Sequence, residues 1–488
     1  MAKLPPNIIL NVDSYKNDHG KMLPIDTQYI FSTIVPRRPN KYTNLVKVMG
    51  TQYIVKEFLT QKVEPWMIEE AEIELKEHGF KLDKARWQYI IDKHNGYLPL
   101  EIRAVPEGKI IPVGNAIMTI VNTDPKCAWL TSYVETAIQR AVWKMTTVAS
   151  ISYDLYNLID DMLYKHTGLH NLGQYHLHNF GSRGADGEDS DIIAGIAHLS
   201  AGFKGTDCTP ANRNIKFYYN TKKAYGINIT ASEHSVMCSW SNAHEEDDFK
   251  AALMMIDLLE EKIKNNDGAP IVSIVADTYD IFRFTAEYIG SRLKDRIINL
   301  GKLGGKVVIR PDSGDPKEIC IKVIKTLMQC FGYSTNDRGY KVLPPYIGVI
   351  QGDGINNDSL RLILKDLDRE KISLENIVFG MGGGLTHEAG RDEFSFSMKA
   401  TARFDGRIWH DLIKSPITDV TKRSLKGRVT TYSNLDQTVI FSDRIERAES
   451  DKNVIDLMET IYLNGKITKE YNFDEVLARN NTHLIKGL

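Results

Sequence analysis

An excess of charge of either sign is missing from this chain: 61 Lys and Arg stand against 63 Asp and Glu, a formal net charge of −2 over 488 residues. Without a global basic field, neither nucleic acid nor an anionic membrane surface is an expected partner. Cysteine is scarce. The five residues (Cys127, Cys208, Cys238, Cys320, Cys330) are odd in number, with no C-x-x-C pair and no ligand-like spacing, which excludes a disulfide framework and a zinc ribbon. No run of about 18 apolar residues occurs, so no helix is expected to span a bilayer. The opening stretch MAKLPPNIILNVDSYKNDHG lacks a long apolar core and does not read as a secretory leader. Low-complexity linkers are absent too. What remains, at 42% hydrophobic and 25% charged residues, is the composition of a soluble globular protein, expected in the cytoplasm. Its length suits two or three domains of about 150 residues each.

Over residues 1–150, short apolar stretches surround one clear helix, PWMIEEAEIELKEHG, with Pro65 suited to its first turn and Gly79 to the position just past its end. Glu101–Pro125 alternates apolar and polar residues between Pro and Gly punctuation, the pattern of antiparallel strands. Near residue 150 the character changes. A helical pattern over Thr147–His166 leads into repeated units of apolar strand, polar or glycine-bearing turn, then helix. The strand ends read YHLHNFGSRG (Tyr175–Gly184), FKGTD (Phe203–Asp207), NITASEHS (Asn228–Ser235), IVSIVADTYD (Ile271–Asp280), KVVIRPDSGDP (Lys306–Pro316), YIGVIQGDG (Tyr346–Gly354) and IVFGMGGG (Ile377–Gly384). From Asp277 through Asp312 and Asp353 to Gly382 the steps are about 30–40 residues, one βα unit each. After Asp312 a helix is well marked: Asp315 caps it, Pro316 opens it, Gly332 closes it, and Cys320, Val323, Ile324, Leu327, Met328 and Phe331 form its apolar stripe. Near-continuous apolar strands followed by amphipathic helices mean a parallel sheet buried on both faces. The expected fold is α/β: a (β/α) barrel over residues 151–390, with residues 1–150 and 391–488 forming one composite α+β domain. KGRVTTYSN and TVIFSDRI in the C-terminal part read as strands again. An open doubly wound sheet is the alternative to the barrel.

In a closed α/β barrel, chemistry collects at the C-terminal strand ends, and the polar residues cluster there. RPDSG (Arg310–Gly314) delivers a cation and a carboxylate two residues apart, hence on one side of a strand. The pair suits a ligand with an anionic group and a sugar diol or metal; an ion pair closing a turn is the plainer reading. The glycines of GMGGG (Gly380–Gly384) let backbone N–H groups approach a phosphate, or simply make a flexible turn. The spacing of a P-loop is absent. Arg183, Arg310 and Arg391 at or just beyond strand ends suit a multiply anionic ligand, because guanidinium forks match phosphate oxygens. Glu233-His234 closes the strand NITASEH. Its imidazole could be an acid, a base, a covalent phosphate acceptor or a structural group. His176/His178 lack a third ligand and His166/His170 lack the glutamate of HExxH, so no dedicated zinc site is expected. HEEDD (His244–Asp248) reads as a solvated helix start.

In order along the chain, DSYK (Asp13–Lys16), FGSRG (Phe180–Gly184), FKGTD, EHS (Glu233–Ser235), RPDSG, QGDG (Gln351–Gly354) and GMGGG followed by Arg391-Asp392 closely resemble the nicotinamide phosphoribosyltransferase family. The likeness continues through LPLEIRAVPEG, NTDP, GYKVLPPY and KRSLKGR. It implies a barrel of the type II phosphoribosyltransferase kind. It also implies a reaction of NAD salvage, in which nicotinamide and phosphoribosyl pyrophosphate give nicotinamide mononucleotide and pyrophosphate with Mg²⁺, in a homodimer whose active sites are shared.

The resemblance assigns roles as well. Phe180 and Tyr15 of the partner subunit would sandwich the pyridine ring, and Asp207 would accept the carboxamide N–H. Arg310 and Asp312 would hold the ribose and phosphate side, with Gly352, Asp353, Gly383 and Gly384 on the ribose and phosphate of the nucleotide. Arg183 and His234 would face pyrophosphate. Arg391, Lys399, Lys414 and Lys422, with Arg37, match basic positions around the phosphates, partly across the dimer. Asp277 and Asp280 match acidic positions near pyrophosphate, where Mg²⁺ could mediate without a dedicated protein site. His234 matches a histidine that takes a phosphoryl group from ATP, which makes ATP an activating co-substrate. Because Glu233 as a strand neighbour faces away, the carboxylate activating His234 is expected to be Asp277 or Asp280.

The chain departs from the family at Asn179 (often Asp), Ser182 (commonly Tyr) and Thr230-Ala231-Ser232 (Pro-Ala-Ala). These positions bear on the nicotinamide entrance and the surroundings of His234, not on the reaction class. Two rivals stand beside this reading. A nicotinate phosphoribosyltransferase would set a substrate carboxylate against Asp207, and a silent nucleotide-binding relative would not need a full phosphate clamp.

Overall fold

Strands with no polar face must be covered on both sides, and the middle of the chain folds accordingly. The computed structural model describes residues 4–241 and 243–481. In it a six-stranded, all-parallel sheet runs Leu177–Asn179, Ile377–Met381, Ile347–Gln351, Lys306–Arg310, Ile271–Val275, Thr230–Ala231. Isolated parallel bridges Asn179–Thr206 and Gly205–Ile227 carry the pairing past its first strand. Val272, Ile274, Val307 and Ile309 are fully buried in it. The helix Pro316–Phe331 forms as its sequence dictates: the Asp315 side chain accepts from Lys317 N at 3.0 Å, and Gly332 turns the chain out at φ +79°. Its stripe Cys320, Val323, Ile324, Leu327 and Met328 is buried. The architecture is mixed α/β.

Two compact units divide the chain. The parallel sheet lies in the unit of Ile151–Asn212 and Ala224–Glu388; residues up to Ser150, Arg213–Lys223 and those from Ala389 on form the other. A seven-stranded antiparallel sheet organises the latter, in the order Trp409–Asp411, Ser397–Phe404, Tyr29–Val35, Met118–Asn122, Leu100–Ala104, Glu459–Leu463, Lys466–Ile467. Three strands from the N-terminal part therefore form the centre of one sheet, with C-terminal strands paired along both of its sides. Among the described residues no helix is long and apolar enough to cross a membrane.

Two local expectations are corrected. The helix predicted over Thr147–His166 runs Glu135–Thr167. Ile138, Val142 and Met145 continue its buried stripe, and the Thr146 hydroxyl donates to Met49 O at 2.9 Å instead of interrupting the helix. His234 does not end a strand but opens the helix His234–Ser241, because the strand stops at Ala231. There the Ser232 hydroxyl replaces a backbone acceptor, taking the Val275 N–H at 2.9 Å.

Arg213–Lys223 is fastened by a buried polar network. Glu107 is fully buried and accepts from Thr51 Oγ1 (3.0 Å), Gln52 N (2.7 Å) and Tyr219 OH (2.5 Å). Burial pushes its carboxyl pKa up, while these bonds hold it down. Tyr219→Phe removes one donor from a carboxylate that stays buried. We expect a loss of about 1–3 kcal/mol, read as a lower urea midpoint, while Tyr333→Phe at an exposed site stays within about 0.5 kcal/mol.

Candidate active site

The parallel strands deliver their polar residues at their C-terminal ends. Phe180 follows Leu177–Asn179, and its N–H donates to Met381 O at 2.9 Å. Its ring lies against Gly380 and Gly352, where an added Cβ would sit 2.0 and 3.1 Å from ring carbon Cε2. Glycine at these two positions is what makes room for the ring. Arg183 is exposed in the turn Ser182–Gly184, while the Ser182 hydroxyl is turned to both oxygens of Asp191 at 3.0 Å. Asp207 is solvent-accessible and accepts from the Asn228 side-chain amide. Desolvation raises its pKa, opposed by the Asn228 bond and by the charges of Arg310 and Arg183. Asp207, Arg183 and Arg310 therefore share one region.

A second cluster centres on Asp277. Its Oδ1 lies 3.0 Å from His234 Nε2, and its Oδ2 accepts from Asp312 N (3.2 Å) and Ser313 Oγ. Since a carboxylate only accepts, His234 carries its proton on Nε2, and the neutral ring's lone pair is on Nδ1. That nitrogen is 3.6 Å from Asp312 Oδ2, and Arg310 Nε is 3.8 Å from Asp312 Oδ1. Both distances exceed a hydrogen bond, so the Asp312 carboxylate retains room for a ligand. Arg310 Nε is buried and, among the described residues, has no hydrogen-bond partner. Glu233 holds Ser235 and takes no part. Gly352 and Asp353 follow Ile347–Gln351, where Gln351 Nε2 donates to Asp353 O at 2.9 Å. Gly383 and Gly384 open the short helix Gly383–Thr386, in the turn whose N–H groups lack intrahelical acceptors.

Asp280 stands apart from Asp277, capping the helix Ile281–Arg283 by accepting from Phe282 N (2.8 Å) and Arg283 N (3.1 Å). Among the described residues, three potential ligand side chains meet at His94, Asp124 and Cys127. Asp124 is occupied there by His94, Tyr89 and Lys126 N, and burial pushes the Cys127 thiol up to about 12, which opposes the thiolate a metal needs. The HLH histidines are held neutral. Burial lowers His176 to about 4 and also lowers His178, whose Nε2 donates to Tyr175 O at 3.0 Å.

The remaining expected residues lie in the other unit. Tyr15 is exposed in the turn Ser14–Asp18. Arg37 and Lys399 line a cavity of about 310 Å³ with Thr421, Arg423 and Ser424. Burial lowers the Arg37 pKa, with Arg38 and Arg391 adding to it; burial lowers that of Lys399, with Lys414 and Arg37 adding to it while Glu135 opposes. Cations held this close suit an anion between them. Arg391 pairs with Asp392 at 3.2 Å and Lys422 with Asp419 at 3.4 Å, and Lys414 N donates to Ser424 Oγ at 3.0 Å. Sequence reasoning missed Asn228 and Ser313. Both stood inside quoted motifs, and neither residue type signals a pairing with an aspartate far along the chain.

A sequence model of the nicotinate phosphoribosyltransferase (NAPRTase) family matches residues 175–466, and one of the nicotinamide phosphoribosyltransferase N-terminal domain matches residues 7–102. The chain is 37% identical over 478 residues to the nicotinamide phosphoribosyltransferase of Xanthomonas campestris pv. campestris (strain 8004), covering 97% of each. To that of Acinetobacter baylyi (strain ATCC 33305 / BD413 / ADP1) it is 30% identical over 511 residues, covering 96% of each. Its fold resembles the crystal structure of nicotinate-nucleotide pyrophosphorylase from Pyrococcus furiosus, with a TM-score of 0.60 at 14% identity over 98% of this chain and 95% of that one. With identity sustained along nearly the whole length of both curated relatives, the chain belongs to the nicotinamide phosphoribosyltransferase family.

Proposed function

We propose that the protein condenses nicotinamide with phosphoribosyl pyrophosphate to nicotinamide mononucleotide and pyrophosphate, for NAD synthesis. The observation that carries this reading beyond family membership is Asp207, an acceptor for a carboxamide N–H held in the field of two arginines. A substrate carboxylate would be repelled by it, which disfavours nicotinate. Displacement at C1′ passes through an oxocarbenium-like state while charge builds on the departing pyrophosphate, so binding, orientation and a cationic clamp do most of the work. Phe180 stacks on the ring, whose nitrogen carries its own lone pair and needs no general base. Arg310, whose buried Nε makes no hydrogen bond among the described residues, and Arg183 take anionic oxygens. Asp312, from which His234 Nδ1 and Arg310 Nε both stay beyond hydrogen-bond reach, faces the ribose hydroxyls or the water shell of the substrate's Mg²⁺. Asp277 uses both oxygens within the protein, whereas Asp280 caps through Oδ1 alone and its exposed carboxylate is the readier of the two to meet the water shell of Mg²⁺. Mg²⁺, entering with the phosphates, supplies charge neutralisation. The backbone at Gly352–Asp353 and Gly383–Gly384 receives the product's ribose and phosphate.

In this reading the parallel strands curl into a closed (β/α) barrel, supported by the bridges at Thr206 and Ile227. The interleaved antiparallel sheet supports a composite α+β domain. Two copies share their sites: Tyr15 serves the partner's substrate, and the Arg37, Arg391, Lys399, Lys414 and Lys422 group gathers around the phosphates, partly across the dimer. All five cysteines are free, as suits a cytoplasmic enzyme.

His234, with Nε2–H committed to Asp277, presents Nδ1 to ATP. Attack on the γ-phosphorus breaks its bond to the bridging oxygen, releases ADP and leaves negative charge beside the pyrophosphate clamp. ATPase activity and ATP-dependent improvement in mononucleotide yield should both disappear in His234→Ala, with basal synthesis reduced but not abolished; unchanged ATP stimulation would sink the idea.

A charge-assisted hydrogen bond at Asp207 is worth about 1.5–3 kcal/mol, roughly 10- to 150-fold in kcat/KM. Asp207→Asn should lower nicotinamide use by that factor and relatively favour nicotinate, as measured with labelled substrates. A wild-type substrate ratio in the variant removes Asp207 from specificity. Inactive Tyr15→Ala and inactive Arg310→Ala should regain activity when mixed and allowed to exchange subunits, since one intact site forms per heterodimer. Verified heterodimers without activity exclude shared sites.

A further inference from the structure

Asn228 is held at both ends of its side-chain amide. Its Oδ1 accepts the Ile229 N–H at 2.8 Å, which fixes the other end as the donor, and Nδ2 then donates to Oδ1 of Asp207. The backbone under both residues is pinned. Thr206 N donates to Ile227 O (3.1 Å), Ile227 N to Lys204 O (2.7 Å) and Asp207 N to Asn179 O (2.9 Å). A carboxylate with one oxygen engaged by an immobile donor has its second oxygen oriented. That matters because the two competing substrates differ at one group: a carboxamide offers N–H donors, a carboxylate only acceptors.

We propose that Asn228 is a positioning residue of the base pocket: by engaging Oδ1 of Asp207 it aims Oδ2 at the substrate's carboxamide N–H and keeps the pocket an acceptor. This deepens the function proposed above and rests on it. The charged groups acting on Asp207 are Arg310 and Arg183. Both favour the carboxylate, as does the Asn228 amide, whereas burial favours the acid. Removing the amide leaves burial less opposed, so Asp207 holds its proton to higher pH. A protonated Asp207 is a donor, which suits nicotinate and not nicotinamide.

The test is Asn228→Ala, Asp207→Asn and the double variant in the full-length enzyme, with kcat and KM for nicotinamide and nicotinate followed across the acid limb. Asn228 is exposed, so its truncation opens no core cavity. Asn228→Ala should raise the KM for nicotinamide about 3- to 10-fold, with the larger part of the loss in KM rather than kcat. The acid limb of kcat/KM should move to higher pH and the preference for nicotinamide should fall. In the Asp207→Asn background the same substitution should add nothing. If Asp207→Asn loses the preference while Asn228→Ala keeps both the preference and the acid limb of wild type, the positioning role is wrong and the base-pocket reading survives. If Asp207→Asn also keeps the preference, both fall. An undiminished Asn228→Ala effect in the Asp207→Asn background shows that the residue acts through the fold, and likewise overturns the proposal.

Discussion

A carboxylate whose side chain is 6% exposed must fill its acceptor positions from the protein, and Asp277 does so from two other segments of the chain. His234 Nε2 comes from the start of a helix, and the Asp312 backbone and Ser313 hydroxyl come from the turn after Lys306–Arg310. One ion thereby fixes the imidazole tautomer, the position of the RPDSG turn and, through that turn, the reach of Arg310 and Asp312. The cost of burying this charge is met by hydrogen bonds that also set the geometry around Arg310 and Asp312. A substitution there would not delete one contact but release a helix start and a turn together.

The surroundings of Asp207, the proposed base end, follow the opposite principle. Asp207 is accessible and, among the described residues, takes a side-chain donor from Asn228 at one oxygen. Its neighbours act at a distance, through the charges of Arg310 and Arg183. Arg310 thus serves both ends, as the cation that favours ionised Asp207 and as the side chain 3.8 Å from Asp312. The Asp207 and Asp312 carboxylates are therefore electrostatically linked through one arginine; in the proposed function this couples base recognition to phosphate binding.

Much of this was legible in the residues. Asp315-Pro316 and Gly332 marked both ends of a helix, and the apolar runs before Asp277, Arg310, Gln351 and Gly380 marked buried strands, because caps and burial patterns are local. Gly380 reads as a phosphate-loop glycine and Gly352 matches a ribose and phosphate position, yet the structure shows a second reason for them: the Phe180 ring would collide with a Cβ at Gly380 and would be crowded by one at Gly352. Legibility failed where a side chain replaces backbone. Ser232 takes the Val275 N–H and ends a strand early, which turned His234 from a strand end into a helix start. It failed again where polar groups pair across long separations, as with Asn228 and Asp207 or Tyr219 and Glu107. Such pairs leave no periodicity.

The antiparallel sheet has a consequence for how the protein is made. Tyr29–Val35 lies between Met118–Asn122, which leaves the ribosome soon after it, and Ser397–Phe404, which leaves only after all of residues 177–381. Until then an apolar central strand keeps one edge unpaired, an exposed template for intermolecular pairing. The parallel sheet needs only residues 177–381 and can be completed earlier. Domains of a nascent chain generally fold in order of emergence, but here the unit that begins first must finish last. During that interval the parallel-sheet unit can be complete while Tyr29–Val35 still waits for its second neighbour.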